Sequence, residues 1–234
     1  VQQTLETALS KIAAQPIRVV CAGRTDTGVH ATSQVIHFET EQPRDEWAWL
    51  FGTNTHLPEQ VRVRWAKFVA ADFHARFSAT GRRYRYIIDN RQIRPAIMSR
   101  QLTWQCLPLD ESLMQQAADS LVGEHDFTSY RAVQCQAKSP VRTIHHLRVE
   151  RQGGLVIIDV HANAFLHHMV RNIAGVLMAI GCGKQPPDWA QQVLLSRDRK
   201  LGGVTASPHG LYLVEIDYPD RFEIPMLPAS LPFL

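Results

Sequence analysis

One carboxylate has neighbours in the sequence that suit a catalytic role. Asp26 lies in the run GRTDTGVHA at 23–31. An apolar stretch at 17–21 precedes this run and an alternating stretch at 35–38 follows it, which predicts a strand, a glycine-bracketed turn and a second strand. Because glycine has no Cβ, the backbone there can turn sharply and approach a ligand closely. A short acid near the apex, two residues from Arg24, can act as a nucleophile or a base.

Two familiar interpretations of this run are excluded. The triplet Asp-Thr-Gly at 26–28 also occurs in aspartic proteases, but that chemistry needs two such carboxylates sharing a proton. The chain has no second Asp-Thr-Gly or Asp-Ser-Gly triplet. The run also lacks the Gly-Lys-Ser/Thr ending of a phosphate-binding loop.

A second candidate residue is Arg171, which interrupts an apolar helical pattern at 165–180. A guanidinium among apolar neighbours either finds a partner or extends its head to water, because a buried unpaired charge is strongly disfavoured. If the partner is Asp26, the ion pair favours the charged carboxylate. The sequence leaves both possibilities open.

Tyr84 and Tyr86 alternate with arginines in a predicted strand at 83–89. The period of two places both tyrosines on one face and Arg83 and Arg85 on the other. Aromatic rings beside guanidiniums suit stacking on nucleic acid bases. The alternative is one tyrosine in the core and one at an edge.

Histidine pairs at 145–146 and 167–168 suggest a metal site. Adjacent residues point to opposite faces of a strand and diverge by about 100° on a helix. We therefore expect that neither pair chelates one ion, and we expect no metal. His30 has two interpretations, a structural hydrogen-bonding group or a base.

Composition favours a polyanionic partner. Of the 25 basic residues 5 are Lys, which leaves 20 Arg, and the formal net charge is +3. Residues 73–108 contain a single acid, Asp89, and seven arginines, at 76, 82, 83, 85, 91, 94 and 100. Such an excess of arginine suits phosphate and bases, although a solvated basic face is the alternative.

The chain has no apolar run long enough for a bilayer, no secretory leader pattern and four widely spaced cysteines. We therefore expect a cytoplasmic protein with neither a membrane segment nor disulfides.

The rest of the pattern predicts the elements that hold these residues. Helical spacing predicts helices over 2–14, 45–51, 109–122, 165–180 and 188–195. Asp110 is the expected cap of the helix at 109–122. Alternation predicts further strands over 61–69, 83–89, 143–151, 154–161 and 211–218.

Each half of the chain mixes helices with antiparallel strands, which predicts an α+β fold. We expect two related lobes of mixed, mainly antiparallel sheet, with helices packed on one side and an active-site cleft between the lobes. The expected boundaries are an N-terminal lobe at 1–93 with the Asp26 turn, a C-terminal lobe at 94–219 and a surface tail at 220–234. The irregular stretch 90–104 is the expected hinge.

Four motifs together resemble the TruA-type tRNA pseudouridine synthases. They are the run at 23–31, FHARFSAT at 73–80 followed by RRYRY at 82–86, the helix start at 165–175, and GLYL at 210–213. The motifs stand in the right order and spacing, and they span most of the chain.

The resemblance implies isomerisation of uridine to pseudouridine in the anticodon stem-loop of tRNA, at positions 38, 39 and 40, without metal or organic cofactor. It implies that Asp26 is the catalytic nucleophile on a flipped-out uridine and that Arg171 ion-pairs with it. Tyr84 then stacks on the uracil, Leu211 packs near it from the other side, and Arg24 takes the place of the displaced base. The implied partners are tRNA and a second copy of the chain in a homodimer.

Members of this family begin with a strand that carries a Tyr-Asp-Gly motif. This chain starts at Val1, almost within the first helix, so we expect that strand to be missing and one sheet to expose unpaired backbone. A non-catalytic tRNA-binding module on the same scaffold and a carboxylate hydrolase are the alternative functions. Retention of Asp26, Tyr84 and Arg171 together favours the enzyme, because binding alone needs no nucleophile.

Overall fold

The computed structural model describes residues 1–229, 231 and 233. The helices are α1 (Gln2–Ala13), α2 (Thr53–Thr55), α3 (Glu111–Asp119), α4 (Met169–Gly181) and α5 (Trp189–Ser196). The strands are β1 (Val20–Cys21), β2 (His30–Ala31), β3 (Ile36–His37), β4 (Gly81–Asp89), β5 (Thr103–Trp104), β6 (Gly123–Asp126), β7 (Val141–Gln152), β8 (Leu155–Ala162) and β9 (Leu211–Asp217). This mixture of helices with a mainly antiparallel sheet confirms the predicted α+β class.

The chain divides into two compact units. Unit 1 comprises 1–24, 34–79 and 217–228, and unit 2 comprises 25–33, 80–216 and the described residues of 229–234. The expected lobe boundaries at 93 and 219 stay a prediction.

Unit 1 is built around α1. The apolar face of this helix, with Leu5 and Leu9 buried, packs in one cluster with Trp49 and Leu57. β1 and β3 pair antiparallel, with Val20 opposite His37, and so flank the Asp26 run as predicted. The predicted helix at 45–51 contains a wide π-helical segment, Ala48–Gly52, that continues directly into α2.

The predicted strand at 61–69 is wrong. The Asn54 side chain donates to the Val63 carbonyl at 2.8 Å and accepts from the Val63 N–H at 2.9 Å. The Glu46 carboxylate accepts from the Phe68 N–H at 2.9 Å. Side chains therefore occupy backbone groups of 61–69 that a neighbouring strand would have used. The alternation in the sequence reflects burial alone, because Val61 and Val63 pack against the unit 1 cluster.

Unit 2 contains a seven-stranded sheet with six strands in the order β2-β9-β4-β8-β7-β6, and β5 also pairs with β4. β2 runs parallel to β9 and β5 runs parallel to β4, whereas the β4–β8, β7–β8 and β6–β7 pairs are antiparallel. The predicted hairpin around Gly153 is confirmed, and Gly153 adopts the positive φ, +58°, that the turn requires.

The sheet of unit 2 carries buried apolar clusters on both faces. On one face Tyr86 and Ile158 pack with Ile173 and Leu177 of α4 in the largest buried cluster. On the other face Ile87 and Ile157 pack in a smaller cluster with Tyr212 and Leu231. Strand alternation explains the division, because successive side chains of β4 and β8 point to opposite faces.

Asp110 caps α3 as predicted, since its carboxylate accepts from the Ser112 and Leu113 N–H groups. α4 begins at Met169 and not at Phe165, because His168 has the left-handed conformation, with φ of +61°, and interrupts the helical path.

The four cysteines are free thiols, which agrees with the expected absence of disulfides. Among the described residues no helix combines the length and the apolar character needed to span a bilayer.

Candidate active site

The proposed nucleophile opens a tight turn in unit 2. The Val29 N–H donates to the Asp26 carbonyl at 3.0 Å, which closes a four-residue turn. Gly28, the third residue, has φ of +86°, and a Cβ there would lie 3.0 Å from His209. Both facts require glycine at this position. The chain then enters β2, where His30 lies opposite Tyr212 of β9.

Three basic side chains surround the Asp26 carboxylate. Arg171 Nη1 donates to Oδ2 at 2.8 Å, and Arg171 Nε donates to the Ala206 carbonyl, also at 2.8 Å. His168 Nε2 lies 3.0 Å from Oδ2 and His167 Nε2 lies 3.4 Å from Oδ1. The Asp26 side chain is 29% exposed, so water or a ligand can still reach it. Of the two possibilities for Arg171, the structure has the ion pair.

The expectation that adjacent histidines diverge is wrong for His167 and His168. Their rings lie 4.0 Å apart between centroids, and both approach Asp26. The expectation assumed a strand or a helix at both positions. The left-handed backbone of His168 belongs to neither element, and it turns the two side chains toward one carboxylate.

Burial lowers the pKa of His168 below its usual value. The neighbouring charge of Asp26 opposes this shift, while His167 and Arg171 reinforce it. The neutral imidazole is therefore favoured near neutral pH.

Asp26, His167 and His168 also form a group that could hold a metal ion. Their candidate ligand atoms all lie within 4.8 Å of one another. This group could not be expected from the histidine pairs alone, because its third member, Asp26, lies far away in the sequence. The signal that sequence reasoning could have used is the position of both histidines directly before a helix that carries Arg171.

Tyr84 lies on the face of β4 that carries the large apolar cluster. Its ring meets Phe165 edge to face at 5.1 Å, and it packs against the cluster that includes the buried Leu211. Burial, opposed by Arg82 and reinforced by Asp26, raises the pKa of Tyr84 to about 12. The phenol therefore keeps its proton at neutral pH.

Tyr86 is the core tyrosine of the pair. It is fully buried, and its hydroxyl bonds to Thr103 and Ser207. Arg83 and Arg85 lie on the opposite face, as predicted, where both donate to Asp159 at 2.8 Å.

The remaining candidates have different positions. Arg24 is exposed and ends the first segment of unit 1. The His30 ring stacks on Tyr212 at 4.7 Å, and its Nε2 lies 3.1 Å from the Arg100 carbonyl. These contacts favour the structural interpretation of His30 over its role as a base.

The arrangement around Asp26 is suited to covalent or electrostatic catalysis. A guanidinium holds one carboxylate oxygen in place, and the side chain remains partly exposed to a ligand. An aromatic ring and an aliphatic side chain, Tyr84 and Leu211, belong to the same apolar cluster of unit 2. Such a set can bind a planar ring and present a carboxylate to it.

Comparison with known proteins identifies the family. The sequence profile described as tRNA pseudouridine synthase matches residues 1–78 and 117–219. A protein of Pseudomonas aeruginosa named tRNA pseudouridine synthase A is 59% identical over 225 residues, which cover 96% of this chain and 79% of that protein.

Two further relatives carry the same name. The protein of Nitrosococcus oceani is 60% identical over 227 residues, covering 97% of this chain and 88% of its own length. The protein of Cronobacter sakazakii is 56% identical over all 234 residues of this chain and 87% of its own. The profile matches most of the chain, and these relatives are 56–60% identical to it, which establishes the family. The chain belongs to the tRNA pseudouridine synthase family, a family of isomerases.

Proposed function

We propose that this protein isomerises uridine to pseudouridine in tRNA, with Asp26 as the nucleophile and Arg171 as the residue that orients it. The observation that carries the proposal is the Asp26 carboxylate, bonded to Arg171 at 2.8 Å and still 29% exposed. Family membership supports the substrate and the reaction. The proposed substrates are uridines 38, 39 and 40 of the anticodon stem-loop, in the cytoplasm, where tRNA is found.

The reaction requires a series of steps. The uridine must leave the helical stack, since its reacting atoms are otherwise inaccessible. The bond between uracil N1 and ribose C1′ must break, and the base must turn over. A bond between C5 and C1′ then forms, C5 loses its proton and N1 gains one. Atoms and electrons balance within the nucleotide, so the isomerisation consumes no oxidant or reductant.

The residues of unit 2 suit these steps. An Asp26 oxygen attacks either the base or C1′, or stabilises a cationic sugar, and holds one fragment while the other turns. Tyr84 stacks on the extruded uracil and Leu211 contacts its other face. Arg24 enters the RNA in place of the displaced base.

A non-catalytic binding module is the less favoured alternative. An acid near an RNA phosphate repels it, so a surface that only binds RNA gains nothing from Asp26. The chain instead surrounds Asp26 with Arg171, His167 and His168, which keeps a negative oxygen available at one point.

The direct test is incubation with an unmodified tRNA transcript, followed by chemical mapping of pseudouridine. We expect modification at positions 38, 39 and 40, and none at these positions in a transcript that carries cytidine there. The reaction should proceed in EDTA, since the proposal includes no metal. Binding of the transcript without any pseudouridine would favour the non-catalytic module. Light scattering tests the proposed homodimer.

Tyr84 offers a sharper test of base stacking. The Tyr84→Phe variant keeps the ring and loses the hydroxyl, whereas Tyr84→Ala loses both. We expect Tyr84→Ala to lose far more activity, because stacking contributes about 1–3 kcal/mol per base. Tyr86→Phe is the matched control, since it removes a buried hydroxyl that bonds Thr103 and the Ser207 carbonyl and should lower stability. Equal activity in all the Tyr84 proteins would remove this residue from the site.

A further inference from the structure

The Asp26 carboxylate and the two histidines beside it have the spacing of metal ligands. His168 Nε2 lies 3.0 Å from one carboxylate oxygen, and His167 Nε2 lies 3.4 Å from the other. Around a tetrahedral Zn²⁺ with bonds of about 2.0–2.2 Å, neighbouring ligand atoms lie about 3.3–3.6 Å apart. Both spacings are close to this range, and the three candidate ligand atoms lie within 4.8 Å of one another, so the side chains can bind one ion by drawing together.

The backbone already holds the histidines in place. His168 has φ of +61°, and the helix that follows is anchored by Met169 and Val170, both buried. The two rings lie 4.0 Å apart between centroids, and both Nε2 atoms approach the same carboxylate. Little conformational freedom remains for a bound ion to remove, and this favours binding.

Arg171 is compatible with such an ion. It bonds Oδ2 at 2.8 Å and leaves Oδ1 as the ligand oxygen. Carboxylates that bind metals are commonly held by a hydrogen bond from a further residue. The positive guanidinium lowers the affinity relative to a dedicated zinc site, so we expect reversible binding.

Access and ligand type indicate which ions fit. The side chains of Asp26, His167 and His168 are 29%, 42% and 28% exposed, so an ion can reach them from solvent. Two imidazoles and one carboxylate suit Zn²⁺, Cu²⁺ and Ni²⁺, whereas Mg²⁺ prefers oxygen ligands and keeps its water. Three protein ligands leave a fourth position for water.

We propose that Asp26, His167 and His168 form a reversible binding site for a transition-metal ion of the Zn²⁺ class, and that the bound ion inhibits the enzyme. Inhibition follows because the ion occupies the carboxylate that must attack the nucleotide. That second part rests on the proposed function of Asp26. The binding itself does not.

The first test measures binding of Zn²⁺ alone to the full chain by calorimetry, with Co²⁺ absorption as a report on tetrahedral geometry. We expect one ion per chain, and an affinity at least about tenfold lower in His167→Asn and in His168→Asn. Asparagine tolerates the left-handed backbone of residue 168, so the second variant should fold. Thermal melting checks the folding of both.

The control is His161→Asn, which alters the separate histidine cluster where the rings of His145 and His146 lie 5.0 and 5.6 Å from that of His161. It should bind Zn²⁺ as the parent does, and Mg²⁺ should not compete. Unchanged binding in both site variants, or loss of binding in His161→Asn alone, overturns the proposed site.

The second test adds saturating Zn²⁺ to the pseudouridine assay. We expect the rate to fall at least about tenfold and EDTA to restore it. Full activity with the site saturated overturns the inhibition. A chain that never forms pseudouridine contradicts the proposed function instead, and the calorimetric result still decides whether the metal site exists.

Discussion

Two carboxylates of unit 2 are each surrounded by three basic side chains, yet their surroundings differ. Asp159 accepts from Arg83, Arg85 and His146 at 2.8–2.9 Å, and its side chain is 9% exposed. Asp26 contacts one arginine and two histidines, with His167 as far as 3.4 Å, and its side chain is 29% exposed. Asp159 lies in the middle of β8, whereas Asp26 lies in a turn.

The difference separates a structural carboxylate from a reactive one. Both oxygens of Asp159 are fully used by close partners within a regular sheet, so nothing can approach them. One oxygen of Asp26 has only a loose partner, and solvent reaches the group. The number of basic neighbours therefore indicates little about function; exposure and the spare oxygen carry the information.

Replacing each acid by its amide tests this distinction, with the largest effect expected at Asp26. Asp26→Asn should lower the rate of pseudouridine formation at least about 10³-fold, about 4 kcal/mol of activation free energy, because an amide is a poor nucleophile. Transcript binding should survive, as measured by filter retention. Asp159→Asn, assayed well below its melting temperature, should keep the rate of the parent. Substantial turnover by Asp26→Asn would overturn the assignment.

Two arginines with similar bonding offer the next test. Arg171 bonds a carboxylate and the Ala206 carbonyl, and Arg151 bonds Glu111 and the Leu109 carbonyl. Arg171→Ala should slow the reaction about 10²-fold, about 2.7 kcal/mol, since Asp26 loses its orienting partner. Arg151→Ala should lower the melting temperature without affecting the rate. If both variants react at the parental rate, the ion pair has no role in catalysis.

A third effect concerns stability. Asp159→Asn should reduce the free energy of unfolding by about 2 kcal/mol, because it removes the anion nearest to Arg85 and leaves Arg83 with the longer Glu215 contact at 3.3 Å. Urea denaturation measures this quantity. Asp26→Asn should change it less, since the Asp26 side chain is more exposed. Equal losses in the two variants would contradict the comparison.

The smallest effect is a pH dependence. Burial opposes ionisation of Asp159, but hydrogen bonds from Arg83, His146 and Arg85 prevail and lower its pKa from 3.8 to about 2. Because the native pKa lies below the unfolded one, the ionised group stabilises the protein above pH 3.8. That stabilisation disappears as the pH falls toward 2.

The stability difference between the parent and Asp159→Asn should therefore shrink by about 1–2 kcal/mol between pH 5 and pH 2. Urea denaturation at both pH values measures it. A difference that stays constant over this range would show that the ionisation of Asp159 does not contribute.

Regular elements of the fold could be predicted from the sequence. Alternation predicted β4 and the β7–β8 hairpin, because successive side chains of a strand point to opposite faces of the sheet. Asp110 marked the start of α3 through its side-chain cap. The segment 61–69 could not be predicted, since it also alternates, and the side chains of Asn54 and Glu46 occupy the backbone groups that strand pairing would need.

The residues of the site could be predicted from the sequence, but their full geometry could not. The turn at Asp26 follows from glycine and flanking strands, and the charge of Arg171 in an apolar helix indicated that it needs a partner. The convergence of His167 and His168 depends on a left-handed conformation at a residue other than glycine. The local sequence rarely predicts that conformation, because contacts with the surrounding structure impose it.

In sequence the segment 25–33 lies between β1 and β3 of unit 1, but it belongs to unit 2. There it is tied to β9 by the pairing of His30 and Ala31 and by the Thr32 N–H, which donates to the Leu213 carbonyl at 3.0 Å. Asp26 and the three basic side chains around it therefore belong to one compact unit. Substitutions that loosen the core around α1 should leave the contacts of the reacting oxygen unchanged, so the residues of that core are a suitable place to engineer this protein.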